Sequence, residues 1–319
     1  MSELSMQPRR LVLVGSILVD ILMYVDRLPE RGGDRIASST ILASGGGFNV
    51  LSGAARLGFA VCHAGRVGDG PMGTQVMRDL LAAGIACALP QVQGEDTGFD
   101  IGMVEADAER TFVTAPGTEA RLSLEDLRAI PLQQGDALYV SGYDLGYPTS
   151  GPALEAWLPT LSSDYLLVVD PGPLVAEIPA GRLASVLART NILSLNAREL
   201  NVLAGELALP VAAQQLAKRL APDGFVVARA GEMGCWLASA SQQALHIPGR
   251  PARVVDTTGA GDAHTAALLA RLAAGDAFST AASIANVAAS LAIERPGPAT
   301  GPTAQELQKA IVLLRQAQG

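Results

Sequence analysis

Lysine is nearly missing from this chain: Lys218 and Lys309 are the two among 319 residues, and both sit in polar, helical-looking stretches away from any glycine turn. No Gly-Lys pair occurs, which excludes a Walker A phosphate loop. A phosphate bound here must be met by arginine, backbone amides or metal. Positive charge is scarce throughout, with 23 Lys and Arg against 31 Asp and Glu, a net charge of −8 and a pI near 5.0. That balance argues against a nucleic-acid partner. The three cysteines, Cys62, Cys87 and Cys235, are far apart with no C-x-x-C pair. Neither a disulfide framework nor a zinc site is expected, and a reducing, cytoplasmic setting fits. Long hydrophobic runs are missing too: nothing approaches the roughly 20 apolar residues of a membrane span, so no membrane partner is expected. Residues 9–25 mimic a leader peptide, but Gly15-Ser16 and Asp20 interrupt them and they read as a buried first strand.

Apolar residues are abundant, at 49% of the chain with a mean hydropathy of +0.28. This is ample for a core in one large α/β domain or two smaller ones. The chemistry concentrates in residues 254–270, VVDTTGAGDAHTAALLA. Two β-branched residues run into a turn of Thr, Gly, Ala and Gly. An Ala/Leu segment follows in which Leu268, Leu269 and Leu272 repeat at helical spacing, which predicts a glycine turn opening a helix. Gly259 and Gly261 let the backbone fold back with no Cβ in the way, so consecutive N–H groups converge at the positive end of the helix dipole. Such a point holds an anion. Asp262 places a carboxylate beside it, either as a helix cap or as a base that takes a proton from a hydroxyl about to attack phosphorus.

The full string D-T-T-G-A-G-D-A with its small-residue helix closely resembles the C-terminal signature of the PfkB (ribokinase-like) carbohydrate and nucleoside kinases. Residues 44–59, SGGGFNVLSGAARLGF, resemble that family's N-terminal signature, a glycine pair, then Asn, then a helix ending in Leu-Gly. The resemblance spans nearly the whole chain. It implies a three-layer α/β/α fold, one domain with a mainly parallel central sheet and a small β lid, the lid strands lying at about residues 21–44 and 97–113. It implies ATP-dependent phosphorylation of a sugar, polyol or nucleoside, with Asp262 as general base and Gly259, Ala260 and Gly261 as the anion hole. In the family an Asn-x-x-Glu motif helps position Mg²⁺ and the phosphates. Asn196 and Glu199 match it, Glu199 reaching the metal through water. Arg229, Gly231 and Gly234 match the nucleotide-side turn, and Asn286 matches a helix beside the adenine pocket. Asp256 and Thr258 would hold a monovalent cation, K⁺, as in some relatives, and a homodimer through the lid is expected.

The substrate side reads as follows. Asp20 follows the end of the strand at residues 11–14, where an open parallel sheet places ligands. Gly45 and Gly46 allow close approach to the backbone, and Asn49 offers hydroxyl groups both a donor and an acceptor. Arg110 follows a turn expected at residues 106–109 and is the one cation positioned to meet a phosphate on the substrate. Phe48 would stack on a base or pack against the lid. A carboxylate and an amide with no lysine nearby point to an unphosphorylated sugar, with a nucleoside as the alternative.

Two readings of other classes compete. One is a metabolite sensor, which would have no use for Asp262. The other is an NAD-linked oxidoreductase built on Gly68 to Gly73, GDGPMG, which spells G-x-G-x-x-G but lacks an acidic residue at the end of a following strand; Glu95 and Asp96 lie instead in the polar stretch QGEDTG. Against the family pattern, Leu51 replaces a small residue and Leu18 a polar one. His264 stands where Phe is common and is expected to pack.

Overall fold

The computed structural model describes residues 7–106 and 109–317. Its strands in chain order are β1 (Arg10–Leu13), β2 (Val19–Tyr24), β3 (Ser39–Ser44), β4 (Val61–His63), β5 (Ala86–Cys87), β6 (Phe99–Val104), β7 (Arg110–Ala115), β8 (Asp136–Ser141), β9 (Leu166–Asp170), β10 (Ile192–Asn196), β11 (Phe225–Arg229), β12 (Gly234–Ser239) and β13 (Leu245–Pro248). Nine of them form one sheet in the order β13-β12-β11-β10-β9-β8-β1-β4-β5. All neighbours are parallel except the pairs that β12 makes with β11 and β13, which add an antiparallel edge. The continuous apolar run of β1 feeds two cores. Leu11 and Leu13 enter the one that contains the helices Phe48–Arg56, Ala260–Ala273 and Phe278–Ala292. Val12 and Val14 enter the one that contains Ala180–Arg189, Ala197–Ala204 and Leu209–Ala217. A strand buried on both faces between two helical layers has that pattern, and the three layers agree with the expected fold class.

The remaining strands pair in the order β3-β2-β6-β7. β2 and β6 are parallel, and the outer pairs antiparallel. The strands expected at about residues 21–44 and 97–113 therefore meet in one small sheet. Part of the turn expected between β6 and β7, residues 107–108, lies outside the described residues. Register fixes what each face shows. Ala43, Asp20, Asp100 and Thr114 stand in one row across the sheet, and Leu42, Ile21, Ile101 and Val113 in the next. Adjacent rows point to opposite faces. The second row is the outer one, where Leu42 is 50% and Val113 65% exposed. The Ser44 hydroxyl donates to Asp79 on the helix Pro71–Ala82 at 2.8 Å, which ties the small sheet to the main body.

The same helix shows why GDGPMG carries no nucleotide signal. Its N-terminus already holds an anion, the chain's own Asp96 carboxylate, which accepts from the amides of Gly73 at 2.9 Å and Met72 at 3.3 Å. A side chain at Gly70 would collide with that carboxylate, so the glycines make room for Asp96 where a dinucleotide fold would seat its pyrophosphate. Asp96→Ala leaves these amides unsatisfied and should lower unfolding free energy by about 1–2 kcal/mol, read from urea denaturation. A change within about 0.5 kcal/mol, the usual span of surface substitutions, would contradict this assignment.

Candidate active site

Ser141, Asp170 and Arg229 end three parallel strands, and Glu199 follows a fourth. They line one cavity of about 300 Å³ together with Asp20, Asn49, Asp100 and the turn from Thr257 to Asp262. A larger groove, about 1070 Å³, lies at the amino ends of the strands beside Arg9, Gly135 and Asp164. In an open parallel sheet the carboxyl ends are where ligands bind, and the candidate catalytic residues lie there.

Each wall has a local cause. Ser16 donates its amide to the buried Asp144 carboxylate at 2.8 Å, and a side chain at Gly15 would collide with that carboxylate. The loop after β1 is thereby pinned. It then pairs with the glycine loop: Gly45 N–H donates to Leu18 O at 2.9 Å and Gly47 N–H to Ser16 O at 3.1 Å. Gly46 sits at φ +58°, and Gly45 lies so close to the Asp20 carboxylate that no side chain would fit there. Gly45 therefore contributes room, not a lining surface. The helix Phe48–Arg56 begins here and presents Asn49, which hydrogen-bonds the Asp262 carboxylate. Asn49 Oδ1 is buried without a partner.

Across the cavity, Gly259 takes φ +73° as the N-cap of the helix Ala260–Ala273 and brings no capping side chain. The leading amides of this helix, unlike those at Gly70, have no carboxylate plugging them. Burial and the neighbouring Asp170 raise the Asp262 carboxyl to about 6, opposed by Arg229 and by the hydrogen bond from Asn49. Arg229 is the cation among the lining residues. Its guanidinium donates to Asp170 at 3.0 Å and to Ser194 Oγ at 2.6 Å, and lies 3.9 Å from Glu199. A Cβ on Gly261 would come within 3.0 Å of it. Glu199 closes a capping box with Asn196: its oxygens accept from the Asn196 amide at 2.8 Å and side chain at 2.7 Å. Burial and Asp170 raise its carboxyl above the ordinary value.

Several expected residues fall elsewhere. Arg110 does not line the cavity; it reaches from β7 to the hydroxyls of Thr257 and Thr258 and lies 3.5 Å from Asp256. Asp256 accepts from the Thr258 amide and hydroxyl and from Gly297, so the pair expected to take a monovalent cation already faces a guanidinium. Asn286 is buried with its amide on the carbonyls of Ile247 and Pro248 and its oxygen on His264, which leaves it no free face for adenine. His264 packs as expected, held neutral by burial that lowers it to about 3. Gly234, at φ +92°, turns β11 into β12, where a side chain would collide with Ile247 O, and Gly231, at φ +60°, has open space around it. Neither lines the cavity. Phe48 belongs to the apolar core rather than to the cavity. Asp100 and Asp170 were not singled out by sequence. Asp170 ends a strand as Asp20 nearly begins one, a position signal that was available in YLLVVDPG.

The profile of the pfkB family carbohydrate kinases matches residues 8–305. The uncharacterized sugar kinase YegV of Escherichia coli K12 is 31% identical over 302 residues, spanning 93% of this chain and 92% of the relative. Ribokinase of Bacillus subtilis is 26% identical over 306 residues, spanning 95% and 99%. Among solved structures, ribokinase of Thermotoga maritima superposes with a TM-score of 0.80 at 20% identity, covering 95% of this chain and 99% of that one. Adenosine kinase of Sinorhizobium meliloti also reaches 0.80 at 20% identity, covering 98% and 99%. The structural likeness shows the fold. The chain belongs to the pfkB family of carbohydrate kinases, ATP-dependent phosphotransferases of the ribokinase-like fold that act on sugars or nucleosides.

Arg229→Met strands the buried Asp170 and Glu199 without their counter-charge. Breaking such a pair costs about 3–5 kcal/mol, and the loss should shrink as pH falls and the stranded Glu199 carboxyl, already raised by burial, takes up a proton. Denaturant titration at two pH values checks this. An equal, small loss at both would show that Arg229 is not what holds the carboxylates.

Proposed function

We propose that this pfkB-family chain phosphorylates a hydroxyl of a small unphosphorylated sugar or polyol, with Asp262 as the general base. The observation that carries the reading is the placement of Asp262 at a helix start with no capping side chain, hydrogen-bonded by Asn49 and bordering a cavity whose other end presents Asp20. In this reading the substrate hydroxyls donate to Asp20 and to the unpaired Asn49 Oδ1. That arrangement aims one hydroxyl at Asp262. A carboxyl raised to about 6 is ionised at neutral pH and basic enough to take that proton as the oxygen attacks phosphorus. The amides of Gly259, Ala260 and Gly261 would hold the transferring phosphoryl group, and Arg229 would offset the charge that gathers beside them.

Mg²⁺ fits the donor chemistry. Asp170 and Glu199 are hard oxygen donors in the cavity, while no cluster of three or more His, Cys, Asp or Glu among the described residues could cage a metal. An ion that keeps its waters and shares the phosphates of ATP needs no such cage. Asp170 and Glu199 would hold Mg²⁺, which would supply positive charge to offset that of the phosphates. Asn196 orients Glu199 through the capping box and so acts on the metal at one remove. For K⁺ the fit is poor, because Arg110 already sets a positive charge against Asp256 and Thr258.

The outer row of the small sheet, Leu42, Ile21, Ile101 and Val113, is apolar and partly open to solvent. In the proposal this face pairs with a second copy, giving a homodimer through the lid strands. Ile101→Asp should convert a dimer to a monomer in sedimentation velocity. A wild-type monomer at micromolar concentration would remove this part of the reading.

Asp262→Asn keeps the shape of the site and removes the base. Turnover should fall by about 10²–10⁴-fold with sugar affinity, read by calorimetry, little changed. In the wild type, kcat/KM should decline as pH falls through about 6, because protonation removes the active form. A mutant within a few-fold of wild type would refute Asp262 as base.

A further inference from the structure

Asp100 is a second carboxylate that a polyol site does not require. Parallel pairing sets it directly beside Asp20, with Thr114 next in the same row, and both carboxylates line the cavity. Burial and the neighbouring carboxyl raise Asp20 to about 8, and burial raises Asp100, so at neutral pH the pair favours keeping one proton. Asp100 Oδ1 is buried without a partner. The cavity lining counts five carboxylates, those of Asp20, Asp100, Asp170, Glu199 and Asp262, against the single guanidinium of Arg229. Arg229 is committed to Asp170 and Ser194, and Arg110 to Thr257, Thr258 and Asp256. No cation is left for the Asp20–Asp100 pair among the described residues.

A diol is served by one carboxylate and one amide, which Asp20 and Asn49 already provide. Adding a buried carboxylate costs desolvation and repulsion, and a cationic ligand would offset both. Phe112, Tyr143 and Tyr147 line the same cavity, and aromatic faces attract an ammonium group. We propose that the substrate carries a basic nitrogen, as an amino sugar or aminopolyol does, and that Asp20 and Asp100 together receive its ammonium group. Binding then displaces the pair's proton: both carboxylates ionise, the ammonium keeps its own proton, and one proton leaves to solvent. The groups facing the pair from other elements are Asp262, Asp170, Glu199, Tyr143, Tyr147 and Arg229; none of them neutralises it. This inference rests on the kinase reading for the fate of the bound molecule, and on the paired carboxylates alone for its binding.

The test is calorimetry on the whole protein in buffers free of amines, with matched probes: glucosamine against glucose, 1-amino-1-deoxyfructose against fructose, and Tris against pentaerythritol. At pH 7, repeated in buffers of different ionisation enthalpy, at least one amine should bind about tenfold or more tightly than its neutral counterpart, with release of about one proton. Asp100→Asn should erase that preference and the proton release. Equal or tighter binding of every neutral member, proton uptake, or no amine binding at millimolar concentration overturns the inference. ATP turnover with the same probes separates the two readings. An amine that binds with the expected preference but is never phosphorylated counts against the kinase reading alone, and turnover of neutral sugars without amine preference counts against this inference alone.

Discussion

The Arg229 guanidinium stands 3.0 Å from Asp170, 2.6 Å from Ser194 Oγ and 3.9 Å from Glu199 at the carboxyl ends of the parallel strands. Ser194 in turn shares a hydrogen bond of 3.0 Å with Thr265 on the helix that begins at Ala260. One cation thus ties two strand ends and the helix that follows a third strand to the helix whose start faces the cavity. Without it, burial would force those carboxyls to protonate or the site to open. With it, acidic groups stay close enough to a helix N-terminus to work beside an anion. Scarce positive charge in the composition is spent where a lysine-bearing glycine loop would have placed it.

A second constraint is steric. Glycines around the cavity lie so close to polar side chains that a Cβ would collide with Asp144 at Gly15 and with Asp20 at Gly45, and would press on the Arg229 guanidinium at Gly261. The outcome is that Asn49 from one signature and Asp262 from the other share a hydrogen bond. Sequence separates them widely, and the sheet brings them together.

That explains which parts were legible. Residues 254–270 and 44–59 each carry a turn, a helix start and a polar group within a short window, so local rules sufficed for Asp262, Asn49 and the glycines. The mainly parallel sheet followed from the same two signatures through the family they resemble. Asp100 was invisible because its meaning comes from strand register with Asp20, a long-range pairing that no local pattern encodes. Arg110 was placed near the right turn but given to the substrate, since its contacts with Thr257 and Thr258 depend on how the small sheet leans over the main one. Asn286 was read from the family resemblance and Phe48 from residue type, yet neighbours on other elements, His264 and the apolar core, claim them. The dinucleotide-like glycines matched only in spelling, since no acidic residue follows at a strand end, and Asp96 shows what they accommodate.

If the start of the helix Ala260–Ala273 is a phosphoryl site set against Asp262, its leading amides receive the terminal phosphate of ATP. A crystal structure with Mg²⁺ and a β,γ-methylene ATP analogue tests it most directly. The terminal phosphate should lie within hydrogen-bond reach of the amides of Gly259, Ala260 and Gly261, with Asp262 across from it in the cavity. Phosphates seated instead at Gly68 to Gly73, or in the groove beside Arg9 and Asp164, would contradict it.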